Sequence, residues 1–129
     1  MEVHEMKKYL VFALILFFAV GSGVAKSLSD YDRNLISLLN DENIGIRTSA
    51  AQLLGERKVE QAVKPLIEML KSEGDYKARI VTAIALHDIG GVSALPTLKK
   101  VAKNDKNKTV RRVVSGLVQS FERSVLALK

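Results

Sequence analysis

Apolar positions fall at helical spacing in six successive stretches of this chain, with polar breaks between them. Leu35, Ile36, Leu38 and Leu39 mark a first helix over about 30–39, and Ile46, Ala50, Leu53 and Leu54 a second that runs to about Arg57. Ala62, Val63, Leu66, Ile67, Met69 and Leu70 place a third from Gln61; Ile80, Val81, Ala83, Ile84 and Leu86 carry a fourth. Leu95, Leu98 and Val101 face inward on a fifth that starts near Ser93. The sixth runs from about Thr109 to Phe121, reaching towards Leu128, with Val110, Val113, Val114, Leu117, Val118 and Phe121 as its buried stripe. No segment alternates apolar and polar residues as a half-buried strand does. From Lys26 onward the chain therefore reads as all-α, with six helices in three antiparallel pairs.

The breaks carry the chemistry of helix ends. Ser29 is placed as an N-cap with Asp32 three residues on, and residues 40–43 (NDEN) form a turn whose side chains cap the next helix. Pro65 and Pro96 sit early in their helices, where a missing N–H matters least. Gly74 is expected in the left-handed position of a helix end, Asp75 as the following cap, and Gly90 with Gly91 as a stop. Gly55 lies inside a helix, which predicts that a neighbouring backbone comes close there.

The pattern also repeats. Arg47, Leu54, Ala62 and Val63 return as Arg79, Leu86, Ala94 and Leu95, all four at one and the same interval, and Arg111 opens a looser third copy after that interval again. A helical period of this length belongs to a solenoid, in which each helix pair buries its apolar face only against its neighbours.

The segments R47TSAAQLLG with A62VKPL, and R79IVTAIALHDIGG with A94LPTL, resemble the short HEAT-like repeats of the subtype found in phycobilin lyases. The likeness covers about Leu35 to Phe121, and the third copy departs from it with Gln119 and Glu122 where glycine would stand. It implies a short right-handed α-solenoid of about three helix pairs, with repeats near 30–60, 61–91 and 92–128. It also implies that the second helix of each pair lines the concave, ligand-facing side. That would set Arg47, Gln52, Glu56, Arg79, Thr82, Asp88, Arg112, Ser115, Gln119 and Arg123 on or near the inner surface. The first helix, with Asp32, Arg33, Asn34 and Ser37, resembles a polar cap on the stack, while Val125, Leu126 and Leu128 leave an apolar end. Such repeats mostly serve as binding scaffolds for unrelated partners.

The N-terminal residues change where such a domain would work. Lys7 and Lys8 precede an apolar run from Tyr9 to Val20, followed by small residues and Lys26. This order is that of a secretory signal peptide over 1–25, cleaved before Lys26, with Met6 as the suspected start; the run is short for a membrane span, although an uncleaved anchor is the alternative. A periplasmic or secreted domain over 26–129 follows from that reading. There is no cysteine, hence no disulfide. Lys7 and Lys8 cancel Glu2 and Glu5, so the formal net charge of +6 belongs to the rest of the chain and favours anionic surfaces.

Chemistry is sparse. Arg47, Arg79 and Arg111 form a ladder at the repeat period that either grips carboxylates or phosphates of a ligand or pairs with an Asp or backbone carbonyl of the neighbouring repeat, with Asp41, Asp75 and Asp105 of the preceding turns suited to the second role. Arg112 and Arg123 lie off the ladder and are expected to face a ligand. His87 has no second histidine or cysteine with which to hold zinc, Asp88 beside it is expected to point elsewhere, and Ser115, Ser120 and Ser124 are expected to lack a histidine. Residues 99–112 gather seven positive charges against one Asp. The export signal and the scarcity of aromatic residues argue against nucleic acid as the target of that run. The sequence therefore predicts no enzyme and no cofactor, but an exported scaffold that binds a protein partner through its concave face. Candidate contacts are Arg79, Arg111, Arg112, Gln119 and Arg123, and the alternative is electrostatic attachment to an anionic envelope polymer or membrane surface. The last helix is a candidate dimer contact, with the oligomeric state left open.

Overall fold

The fold is known from a computed structural model, which describes Val3, Glu5–Lys7 and residues 27–129. The signal-peptide reading and its cleavage point lie outside the described residues. Beyond Ser29 the chain forms α1 (Asp30–Leu38), α2 (Ile44–Glu56), α3 (Val63–Ser72), α4 (Tyr76–Ile89), α5 (Leu95–Asn104) and α6 (Lys108–Ala127). Among the described residues there is no strand. Helices α3 and α5 are each entered through one 3-10 turn, Glu60–Ala62 and Val92–Ala94, so Gln61 and Ser93 lie in the turns and not in the helices they were expected to start.

Each pair packs on itself, α1 on α2, α3 on α4 and α5 on α6, and the second helices form a continuous row, α2 on α4 on α6. The row closes tightly at one point: a Cβ on Gly55 would lie 2.8 Å from the Ala85 Cα, so only glycine lets α2 and α4 approach this far. Between the row and the first helices sits one core in which Leu54, Leu66, Leu70, Leu86, Leu98, Val110 and Val114 are fully buried. The core inherits the period, since Leu66 and Leu98 hold equivalent places, as do Leu54, Leu86 and Val118. Ile46 and Ile84, expected inside, are 40% and 38% exposed: Ile84 lies on the outer face of the row, and Ile46 at the first end of the described row.

The caps repeat as well. Asn43, Asp75 and Asn107, one repeat apart, each accept backbone N–H bonds at the start of a second helix. At the other end, α4 closes on Gly90 in the left-handed conformation (φ 77°), and α2 closes on Lys58, its counterpart one repeat earlier, at φ 52°. Gly74 is not left-handed as expected: α3 ends on Glu73 in an extended conformation, which lets the Glu73 carboxylate reach Arg47.

Ser29 caps α1 as read, its Oγ accepting from the Asp32 N–H at 3.0 Å and donating to the Asp32 carboxylate at 2.7 Å. Asp32 is no surface residue, however. It is 8% exposed and receives Arg57 Nε at 2.6 Å, which ties α1 to the end of α2, with the Arg57 guanidinium 5.0 Å from the Tyr31 ring centre.

Candidate interaction surface

The arginine ladder belongs to the frame. Arg79 is 5% exposed; its Nη1 donates to the carbonyls of Glu73 and Gly74 at 3.1 and 2.9 Å, while Nε and Nη2 donate to the two oxygens of Asp105 at 2.8 and 2.9 Å. Arg47 repeats the arrangement, with Nη1 on the carbonyls of Asp41 and Glu42 and the other edge on Glu73 at 2.9 and 3.1 Å. The pairing within the stack uses both expected kinds of partner, but the preceding turn supplies only carbonyls; the carboxylate comes from the following turn, Glu73 for Arg47 and Asp105 for Arg79. Arg79 is thereby removed from the candidate partner contacts: a ligand would have to displace Asp105 to reach it. Thr82, expected on the inner surface, is fully buried and donates to the Ala78 carbonyl at 2.8 Å.

The ladder sets the charge state of its acids. The Arg47 fork outweighs burial and holds the Glu73 carboxyl below the ordinary carboxylate range. For Asp105 burial pushes upward, but the Arg79 fork, the Asn107 N–H and nearby cations together bring it below that range.

What remains free lies on the outer face of the second-helix row and along α6. Gln52, Glu56, Val81, Ile84, Ala85 and Asp88 line a shallow groove of about 270 Å³ between α2 and α4. Its floor is apolar, and both acids on its rim are exposed. Gln52 Nε2 donates to Glu56 at 2.8 Å, and Lys58 Nζ reaches the Asp88 carbonyl at 2.8 Å. On α6, Arg112, Gln119 and Arg123 are exposed along one side of the helix, as their spacing of seven and four residues dictates, and Arg123 Nε lies 3.4 Å from the Gln119 carbonyl. Arg111 is half-buried and donates Nη1 to the Asp105 carbonyl at 2.6 Å. The basic run 99–112 is thinned by use, since Lys99 meets Glu122 at 2.6 Å; Lys100, Lys103, Lys106, Lys108 and Arg112 stay exposed.

The structure brings together one group that sequence spacing had kept apart. His87 Nε2 lies 3.2 Å from Ser120 Oγ, its Nδ1 lies 3.4 Å from Asp88, and its ring meets Phe121 edge-on. Serine and histidine are 33 residues apart, one repeat plus one position, which is the signal that could have found them. Ser120 sits inside α6, where the backbone N–H groups are bonded along the helix, so none is free to stabilise an oxyanion beside it. The contact ties α4 to α6. Among the described residues no three acids or histidines gather as metal ligands, and no helix is long and apolar enough to cross a membrane.

These features define an α-solenoid of stacked helix pairs with buried Arg–carboxylate rungs and an open face on its second helices. Residues 33–117 match the family of HEAT repeats, and the chain belongs to that family. No curated protein matches it.

Proposed function

We propose that this chain is an exported, non-catalytic interaction module that holds a segment of a partner protein across the exposed face of its second helices. The groove over Val81 and Ile84 carries this reading: an apolar floor left open between Glu56 and Asp88 suits an apolar side chain flanked by Lys or Arg. Further along the row the charge changes sign, with Arg112 and Arg123 exposed on α6, so a fitting partner is basic at one end and acidic at the other. Export is supported by the basic, apolar and small-residue order of residues 1–25.

The test is a crosslinking capture from the cell envelope of the host, comparing the unaltered chain with Glu56→Lys combined with Asp88→Lys. Loss of one or two captured proteins in the variant supports the groove; an unchanged set puts the contact elsewhere. The exposed lysines at 100, 103, 106 and 108 favour a second reading, attachment to an anionic polymer or lipid surface. It predicts that only lipid or polymer is captured and that moderate salt removes it.

A further inference from the structure

The ladder has two unfinished rungs, one at each end of the described stack. In a complete rung the guanidinium donates Nη1 to the turn before its helix and Nε with Nη2 to the carboxylate in the turn after. That carboxylate is held in place by a backbone N–H two residues on: Asp75 at 3.1 Å from Glu73, Asn107 at 2.8 Å from Asp105.

Asp41 occupies the place one repeat before Glu73, and accepts from the Asn43 N–H at 2.8 Å in the same manner. Arg47 feels its charge, yet among the described residues no guanidinium or ammonium is bonded to its carboxylate. Arg111 occupies the place one repeat after Arg79, and its Nη1 already donates to the Asp105 carbonyl at 2.6 Å. Among the described residues its Nε and Nη2 meet no carboxylate. A half-built rung therefore stands at each end: Asp41 keeps the bond from the N–H two residues on, and Arg111 keeps one of the two carbonyl bonds its counterparts make.

We propose that two copies of this chain join head to tail, the Arg111 fork of one copy taking the Asp41 carboxylate of the next, as Arg79 takes Asp105 within a copy. The surroundings are complementary: exposed Glu42 flanks Asp41 at the head, and exposed Lys106, Lys108 and Arg112 flank Arg111 at the tail. The head also offers an apolar side chain. Ile46, 40% exposed, stands one repeat before Ala78, which is fully buried inside the row. Because head and tail are different surfaces, the contact is heterologous and builds an open chain or a ring of copies instead of a two-fold dimer. This assembly leaves the groove over Val81 and Ile84 free and does not depend on what binds there.

Sedimentation velocity on the purified full chain over a concentration series tests it, beside Asp41→Arg and Arg111→Glu. The unaltered chain should grow past two copies. Each variant alone should associate weaker on the order of 30-fold and run as a monomer, as expected for removing one member of a desolvated ion pair. Their equimolar mixture should regain association, since the intact Asp41 head of one variant meets the intact Arg111 tail of the other. Circular dichroism verifies the fold of both; should either reversal unfold the chain, Asp41→Asn keeps size and the bond from the Asn43 N–H, Arg111→Lys keeps the charge without the fork, and each should still weaken association. A chain that stays monomeric at high concentration, a dimer that persists in Asp41→Arg, or a mixture that does not associate would overturn the proposal.

Discussion

Gly55 and Ala85 bring α2 and α4 into backbone contact: a Cβ placed on Gly55 would lie 2.8 Å from the Ala85 Cα and 3.0 Å from its Cβ. Gly55→Ala would gain about 1 kcal/mol of helix propensity. Against that, the row has to open at its tightest point, and overpacking of this kind costs about 1–3 kcal/mol. The backbone of Ala85 cannot swing aside as a flexible side chain would, so the clash should win. A lower urea midpoint with unchanged slope is the expected result, and a higher midpoint would show that the helices slide apart freely.

Lys58 closes α2 in the left-handed region at φ 52°, where its N–H donates to the Gly55 carbonyl at 3.0 Å and the Val59 N–H to the Leu54 carbonyl at 3.1 Å. This is the pair of hydrogen bonds of a glycine-type helix end, made with a lysine. A non-glycine residue there costs roughly 1–2 kcal/mol, and glycine returns roughly 0.5–1 through its looser unfolded chain. Lys58→Gly should therefore raise the melting temperature slightly, despite losing the exposed bond from Lys58 to the Asp88 carbonyl. A fall in melting temperature would mean that this bond between repeats outweighs the strain.

The fold was legible because period and periodicity agree. Leu66 and Leu98, or Asn43, Asp75 and Asn107, hold equivalent places in both sequence and structure. Local signals failed where a long-range partner decides. Gly74 carries the residue type of a helix end, but Glu73 must extend to reach Arg47 in the neighbouring repeat, and the chain follows it. Asp32 looked like a surface acid until Arg57, 25 residues away, was folded onto it. The ladder could be counted from the sequence, whereas which turn gives the carboxylate and which the carbonyls depends on side-chain direction, which spacing does not encode. Arg79 and Arg112 show the limit for the site: both are arginines facing no acid within their own helix, yet one is buried and the other exposed.

Acid should unlock the ladder. The folded-state pKa values of Glu73 and Asp105 are depressed, so in the unfolded chain both carboxyls bind protons more readily than in the native one. Their contribution is fully present above the ordinary carboxylate range of about 4, and is lost as pH falls through that range towards the depressed values. Melting temperature should thus drop steeply below about pH 4. Glu73→Gln combined with Asp105→Asn should lower it at neutral pH and flatten the drop. An equally steep acid transition in the double variant would assign it to other carboxylates.

Arg112 and Arg123 test whether the basic side of α6 belongs to the binding face. Both are exposed, and neither forms an ion pair among the described residues. Surface substitutions of this kind change stability by no more than about 0.5 kcal/mol, so Arg112→Glu with Arg123→Glu should leave helicity and melting temperature nearly as they were. Capture of a partner whose acidic end lies on α6 should fall, mainly through a slower on-rate, and the fall should shrink as salt rises. Arg111 differs, because its Nη1 holds the turn at Asp105, and its truncation should cost stability as well as any contact made by its open fork. Equal loss of capture from both changes, with stability affected only in the second, would place the whole edge in the interface. Capture untouched by the Arg112 and Arg123 reversal would confine the partner to the groove between α2 and α4.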